Sequence, residues 1–268
     1  MLTKPGYKKA AALAAVVILA GAAKAQNTAA PCTLGLRSFL GFGVSNQTGV
    51  PYTATLKTTF EQRLPDGNTI RGFTITHQSR DSAGRTRSEM PQECYAGDDG
   101  LPHLHMHVNV YDPVTKSNLY WEIGESVNKT AHLSHTTETP PRKLTPEEIE
   151  EQKKYAMRHR IPQGEFRHER PESKMIAGVM ADGSRTTRTI PPGEEGNDLP
   201  LTLVYESWRS KELNLEMLQI NDDPRNGKRT AEVIELVRGE PDPALFTAPK
   251  DYVVEEQKTT TTVVASAQ

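Results

Sequence analysis

Blocks of like charge are missing from this 268-residue chain, in which 32 Lys plus Arg stand against 34 Asp plus Glu scattered along its length. That balance excludes a basic groove for nucleic acid and a charged tail, so no nucleic-acid partner is expected. The usual catalytic signatures are missing too. No Gly-x-Ser-x-Gly elbow exposes a nucleophile, no glycine-rich turn between strand and helix cradles phosphate, and no His-Glu-x-x-His helix is present. Glu147 to Glu151 and Glu194-Glu195 read as solvated surface, and no acid and base pair stands out. No internal repeat of fixed period is visible. With 35% hydrophobic residues there is apolar material for one sizeable core and no more.

Only one apolar run is long, Ala10 to Ala23, and it falls short of the roughly 20 residues that a helix needs to cross hydrocarbon. Lys4, Lys8 and Lys9 precede it, and Ala23-Lys24-Ala25 closes it as a small-x-small cleavage pattern. We therefore expect a signal peptide over 1–25 and a mature N-terminus at Gln26, with an uncleaved anchor as the alternative. No cysteine follows the run, which closes the lipid-anchor route. Removing the four lysines of this segment takes the formal charge from −2 to −6. The expected location is periplasmic or secreted, and the chain is not expected to be an integral membrane protein once the signal is gone. Cys32 and Cys94 are the only cysteines. An oxidising compartment can join such a pair, but sequence leaves open whether their Cα atoms come within the roughly 7 Å that a bridge demands.

The remainder of the chain is β-patterned. After a glycine-rich extension over 26–49, Tyr52, Ala54, Leu56 and Phe60 alternate with Thr53, Thr55, Lys57 and Thr59, the period of a half-buried strand. Turns are expected at Pro65-Asp66-Gly67, Arg80 to Arg85, Asp112 to Lys116, Asp182-Gly183 and Asp222 to Gly227. Thr145-Pro146-Glu147-Glu148 reads as a helix start, with a capping threonine, proline in the first turn and a capping-box glutamate. This polar helix belongs to an insertion at about 137–165. Hairpin-length loops exclude parallel crossovers, so the expected fold is mainly β (α+β), a curved antiparallel sheet or half-barrel of about ten strands with one or two helices. The domain is expected to span 50–254, followed by a disordered tail over 255–268.

The segment HLHMHVNVY carries the one suggestive set of side chains. His103, His105, His107, Asn109 and Tyr111 share one face of a strand, and Leu104, Met106, Val108 and Val110 the other. Neutral imidazoles are ligands for zinc, copper or nickel, and His132 and His135 add candidates. Successive same-face side chains lie about 6.5 Å apart, so two of the three plus a remote ligand are more plausible than all three on one ion. The other reading is a wet strand surface that happens to use histidine. Gly97 with His103 and His105 fits the opening of the cupin metal motif, but the expected glutamate is absent and no second motif follows.

Several segments in order resemble a family of uncharacterised exported bacterial proteins: Val50 to Ala54, RDSAGRTR at 80–87, VYDPVTKSNLYW at 110–121, IAGVMADGSRTTRTIPPGEEGNDLPL at 176–201, ESWRSKELNLEML at 206–218 and GEPDPALFTAPKDYVV at 239–254. More loosely the chain resembles the lipoprotein-carrier superfamily of LolA, LolB and RseB. That resemblance implies a strongly curved antiparallel sheet with a concave apolar surface for acyl chains or a partner segment. It names no catalytic residue. In the terminal motif, Leu245, Phe246 and Tyr252 are expected to plug apolar gaps. The leading expectation is a non-enzymatic module of the cell envelope that binds a hydrophobic ligand or a protein segment. A metal-dependent enzyme using His103, His105 and His107, and a structural envelope protein, are the alternatives.

Overall fold

A computed structural model describes residues 32–35, 49–125, 127–142, 144–158 and 164–264. The expected signal peptide, most of the 26–49 extension and the last four residues lie outside them. Strands β1 (Tyr52–Arg63), β2 (Thr69–Arg80), β3 (Thr86–Ala96), β4 (Pro102–Asp112), β5 (Ser117–Ile123) and β6 (Thr130–Arg142) form an antiparallel meander. Helix α1 (Pro146–Arg158) leads to β7 (Glu165–Glu169), β8 (Lys174–Ile176), β9 (Val179–Ile190), β10 (Leu201–Ser210), β11 (Leu215–Asp223) and β12 (Gly227–Arg238). A 3-10 turn (Pro243–Phe246) then precedes β13 (Val253–Val264). Pairing of β12 with β1 joins the two halves into one open curved sheet of 13 strands. Its order is β13-β6-β5-β4-β3-β2-β1-β12-β11-β10-β9-β7, with β8 folded onto β9. All pairs are antiparallel except β13 on β6.

The mainly β expectation holds, but about ten strands is too few. The strands that escaped notice are short or polar edge strands without apolar alternation, such as β7, which is exposed over four of its five residues. Within the expected tail over 255–268, residues 255–264 belong to the edge strand β13. Its run of threonine and valine is β-branched and suited to a pleated edge, where backbone pairing replaces burial. Strand β6 extends to Arg142, so helix α1 occupies only part of the expected insertion. At its start the Thr145 N–H donates to Glu148 Oε2 at 2.8 Å, and the Glu148 N–H donates back to Thr145 Oγ1 at 3.3 Å, the reciprocal capping box. No helix among the described residues is long and apolar enough to cross a membrane.

Asp182-Gly183 is not a turn: β9 runs straight through it, and the chain reverses instead at Ala177-Gly178, both at positive φ. Glycine at 183 answers to packing. A Cβ there would stand 2.8 Å from Trp208 Nε1 and 3.0 Å from the Pro171 carbonyl. The close approach lets the Trp208 indole donate to the Glu172 carbonyl at 3.2 Å.

Directly opposite residues share a face of a sheet. Tyr52 lies across from Arg80, Arg80 from Thr86, and Thr86 from Tyr111, so all four lie on one face, and Val108 and Val110 lie on the other. Tyr52 and both valines are nevertheless buried. The sheet therefore has two main cores on opposite faces, not one continuous apolar lining. On the first face Tyr52, Ala54, Leu56, Val233, Trp208, Leu213 and Met217 pack with Ile176, Val179 and Ala181 of the β8–β9 hairpin. On the second face Val108, Val110, Trp121 and Ala131 are covered by Leu245, Phe246 and Tyr252 of the segment that crosses to β13. Those three side chains fill the gap their motif implied.

The face changes near the seam of β2 and β3. These strands pair only through Gln78, Ser79 and Arg80 with Ser88, Arg87 and Thr86. Beyond that a strap at 32–35 bridges them. The Thr33 N–H donates to the Phe73 carbonyl at 3.0 Å, Thr33 Oγ1 accepts the Phe73 N–H at 3.1 Å, and the Gly35 N–H donates to the Cys94 carbonyl at 3.1 Å. Cys32 and Cys94 are joined as a disulfide, with Cα atoms 6.0 Å apart. Buried Glu89 spans the same gap, accepting the His77 N–H at 3.0 Å and pairing with Arg87 Nη1 at 2.6 Å. At the closed end of the seam fully buried Arg80 stacks on Tyr52, and its Nη2 donates to the carbonyls of Val50 at 2.8 Å and Leu213 at 2.5 Å.

Stability should respond at two of these places. The disulfide closes a separation of 62 residues, so Cys32→Ser with Cys94→Ser should lower the unfolding free energy by about 4 kcal/mol in urea melts, with faster hydrogen exchange at the Phe73 amide. Burial pushes the Tyr52 phenol up to about 12, against the opposing pull of Arg80. Tyrosine in the unfolded chain ionises near 10, so this contribution is whole below pH ~10 and is lost as the pH rises toward 12. Across that window the wild type should lose about 2 kcal/mol relative to Tyr52→Phe, measured by urea melts at each pH.

Candidate functional site on strands β4 to β6

Alternation along β4 turns Val108 and Val110 into the second-face core and leaves His103, His105, His107, Asn109 and Tyr111 on the opposite, half-exposed face. The neighbouring strands extend that surface. Glu122 lies across from His107, Tyr120 across from Asn109, and His132 of β6 across from Tyr120. His105 Nε2 is 2.5 Å from Glu122 Oε2, a close approach without hydrogen-bond alignment, and His107 Nδ1 is 3.2 Å from Glu122 Oε1. The His107 and Tyr120 rings lie 5.3 Å apart and those of Tyr120 and His132 5.0 Å apart, so the rings run in contact from β4 to β6. Gln257 of β13 meets His132 Nδ1 at 3.1 Å.

His103 stands apart from this group. Its Nε2 is 2.8 Å from Asp99 Oδ1, and its ring stacks on Tyr95 at 6.0 Å. The Leu101 N–H and the His103 imidazole together hold the Asp99 carboxyl below the usual carboxylate range. Glycine at 97 makes this packing possible, because a Cβ would come within 2.5 Å of His103 Cδ2. That contact accounts for the glycine that resembled a cupin motif. His135 is likewise separate, with Nε2 3.9 Å from Glu256 of β13.

Of the three imidazoles proposed as ligands, then, two converge on one carboxylate and the third, also on β4, meets Asp99 of the β3–β4 loop. Among the described residues no group of three or more His, Cys, Asp or Glu is arranged to hold a metal ion. Each imidazole instead meets a carboxylate: Asp99 for His103, and Glu122 for both His105 and His107. His132, one of the further candidates, completes the surface with Glu122 and Tyr120, which sequence reasoning does not join to the histidines. The signal was present in the Asp112 to Lys116 turn. Asp112 Oδ1 accepts the Val114 N–H at 2.8 Å, and the resulting register sets Glu122 beside His107.

The far side of the sheet anchors this surface. Tyr252, packed in the second-face core, donates its hydroxyl to the Glu122 carbonyl at 2.5 Å, and the Lys129 ammonium lies 4.7 Å over its ring. The interior of the other half is filled by its own side chains, Leu213, Met217 and Ala181 being without solvent exposure. This corrects the expectation that the curl of the sheet is an open apolar groove.

Fold and site define a protein built on one open, curved, predominantly antiparallel sheet whose exposed ring surface is backed by a packed core. No family description and no curated protein matches the chain. Among solved structures it is similar to MucB in complex with MucA(peri), at 12% identity and a TM-score of 0.37, over 75% of this chain and 55% of that one. It is similar to PNGF-II at 13% identity and a TM-score of 0.36, over 79% of this chain and 32% of that one. An uncharacterized conserved protein from Thermus thermophilus aligns at 11% identity and a TM-score of 0.33, over 79% of this chain and 93% of its own. The chain thus spans about half of the MucB chain and about a third of PNGF-II. No residue role passes across identities this low.

Tyr252→Phe removes the hydroxyl that holds Glu122 from behind. The expected cost is about 1 kcal/mol in urea melts, with hydrogen-exchange protection falling in β5 and staying unchanged in β10 and β11.

Proposed function

We propose that this chain is a non-enzymatic binding module of the cell envelope that holds a protein segment on the half-exposed face of β4 to β6. The observation that carries the reading is the run of touching rings, His107, Tyr120 and His132, fixed around Glu122 and backed by a filled core. Rigid rings with polar tips provide contact area at small entropic cost, which is why such residues concentrate binding energy at protein interfaces. The filled interior favours a protein segment over a buried acyl chain. The pairing of each imidazole with a carboxylate favours a binding surface over the metal-dependent alternative. The signal-like N-terminus supports export and a periplasmic or secreted location.

The test is a peptide array probed with purified chain 26–268, followed by calorimetry on the strongest binders. The double variant Tyr120→Ala, His107→Ala should weaken binding at least tenfold, with an unchanged melting temperature. Binding that ignores both substitutions would overturn the site. Stoichiometric metal in tag-free protein, or co-purified lipid in detergent-free extracts, would overturn the reading itself.

A further inference from the structure

The opposite face of the sheet, at the far end of β1, carries a second site unrelated to the rings. On β2, β1 and β12 the outward residues form a small grid. Arg71, Glu61 and Lys228 lie side by side in one row, and Phe73, Thr59 and Thr230 in the next. Lys57 follows one step further along β1, and Thr33 of the disulfide strap closes one side. Together they line a pocket of about 440 Å³, within the size range of small-molecule sites.

Cations outnumber acids in its lining, with Lys57, Arg71 and Lys228 against Glu61. Glu61, the acid in the lining, is engaged by Arg71 at 3.0 Å and Arg63 at 3.6 Å, and Arg71 beside it holds its carboxyl below the usual range. That leaves the ammonium groups of Lys57 and Lys228, neither of which meets a carboxylate among the described residues. Glu232 lies across from Lys57 and Asp222 across from Lys228 in the register, both outside ion-pair distance. Lys57 Nζ stands 5.4 Å over the Phe73 ring, so positive charge sits directly above an apolar floor. In a chain of net charge −2 this is a local excess of cations. Two ammonium groups, a guanidinium and threonine hydroxyls match the charge and the several acceptor oxygens of a phosphate dianion. The phenylalanine floor matches an apolar or aromatic substituent on it.

The geometry points to a binding site for a soluble phosphate monoester carrying an aromatic or short apolar group, its phosphate among Lys57, Arg71 and Lys228 and its apolar part on Phe73. This site lies on the face opposite Tyr120 and His107, so its fate is independent of the segment-binding surface.

Titration of purified chain 26–268 with phenyl phosphate, inorganic phosphate and benzyl alcohol, followed by NMR and calorimetry, tests it. Phenyl phosphate should bind at one site at least tenfold more tightly than either half-ligand, and Lys57→Gln with Lys228→Gln should weaken it at least tenfold. Both lysines are exposed, so the double variant should melt with the wild type. Phenyl phosphate binding no better than inorganic phosphate, or binding that survives the double variant, would overturn the site. Recruitment to vesicles containing phosphatidic acid without binding of phenyl phosphate would overturn the soluble ligand.

Discussion

The seam between β2 and β3 is the constraint on which the rest of the molecule depends. Each half of the sheet buries the face that the other leaves wet, so no single core spans both. A sheet that changes its buried face cannot hold its halves together by apolar packing where the change occurs, and at this seam the backbone ladder is down to three residue pairs. Covalent and polar contacts take over: the strap with its disulfide, Glu89 reaching across to the His77 amide, and buried Arg80 tying β2 to the β10–β11 loop. Breaking one member of such a set costs more than the net value of one hydrogen bond, because the remaining groups stay buried without partners.

The segment after β12 supplies a second coupling. It leaves the first-face half with the Gly239 N–H donating to the Pro51 carbonyl, and Glu240 accepts the Ser82 N–H at the β2–β3 turn. It then lays Phe246 under the Arg85 guanidinium and continues into β13. One covalent run thus touches the centre of the sheet, the seam, the second-face core and the far edge.

How much of this the sequence declared varies from element to element, for physical reasons. Period-two alternation is a local signal, and it marked β1, β4 and β5 because each turns most of its apolar side chains to one face, buried at Leu56, Val108 and Trp121. Helix α1 was legible because its capping box lies within four consecutive residues. Strands β7 and β13 were not, because edge strands rest on backbone pairing and impose little pattern on their side chains. Gly183 misled for a related reason: Asp-Gly signals a turn locally, whereas this glycine is set by Trp208, 25 residues away. Alternation also says which residues share a face of one strand, but not which face of the whole sheet is buried. The change of face at the seam is a property of register across β1 to β4, and no window of sequence holds it. Alternation within β4 marks its three histidines, while Glu122 and Tyr120, and the place of His132 beside them, need the pairing of three strands.

The change of face also explains why the molecule has two separate polar surfaces. In the half containing β4 to β6 the core lies on the second face, so the first face is free to carry His105, His107, Tyr120 and His132. Around β1 and β12 the core lies on the first face, so the second face is free to carry Lys57, Arg71 and Lys228 beside Phe73. Neither set competes with packing, because the strands beneath each are secured from the reverse side. A sheet with one continuous lining would leave one wet face, and surfaces of such different chemistry would lie side by side on it. Here they lie on opposite sides of the sheet, so occupancy of one places no steric limit on the other. Any energetic coupling between them has to pass through the β2–β3 seam, where the ladder is down to three residue pairs, or along the segment after β12.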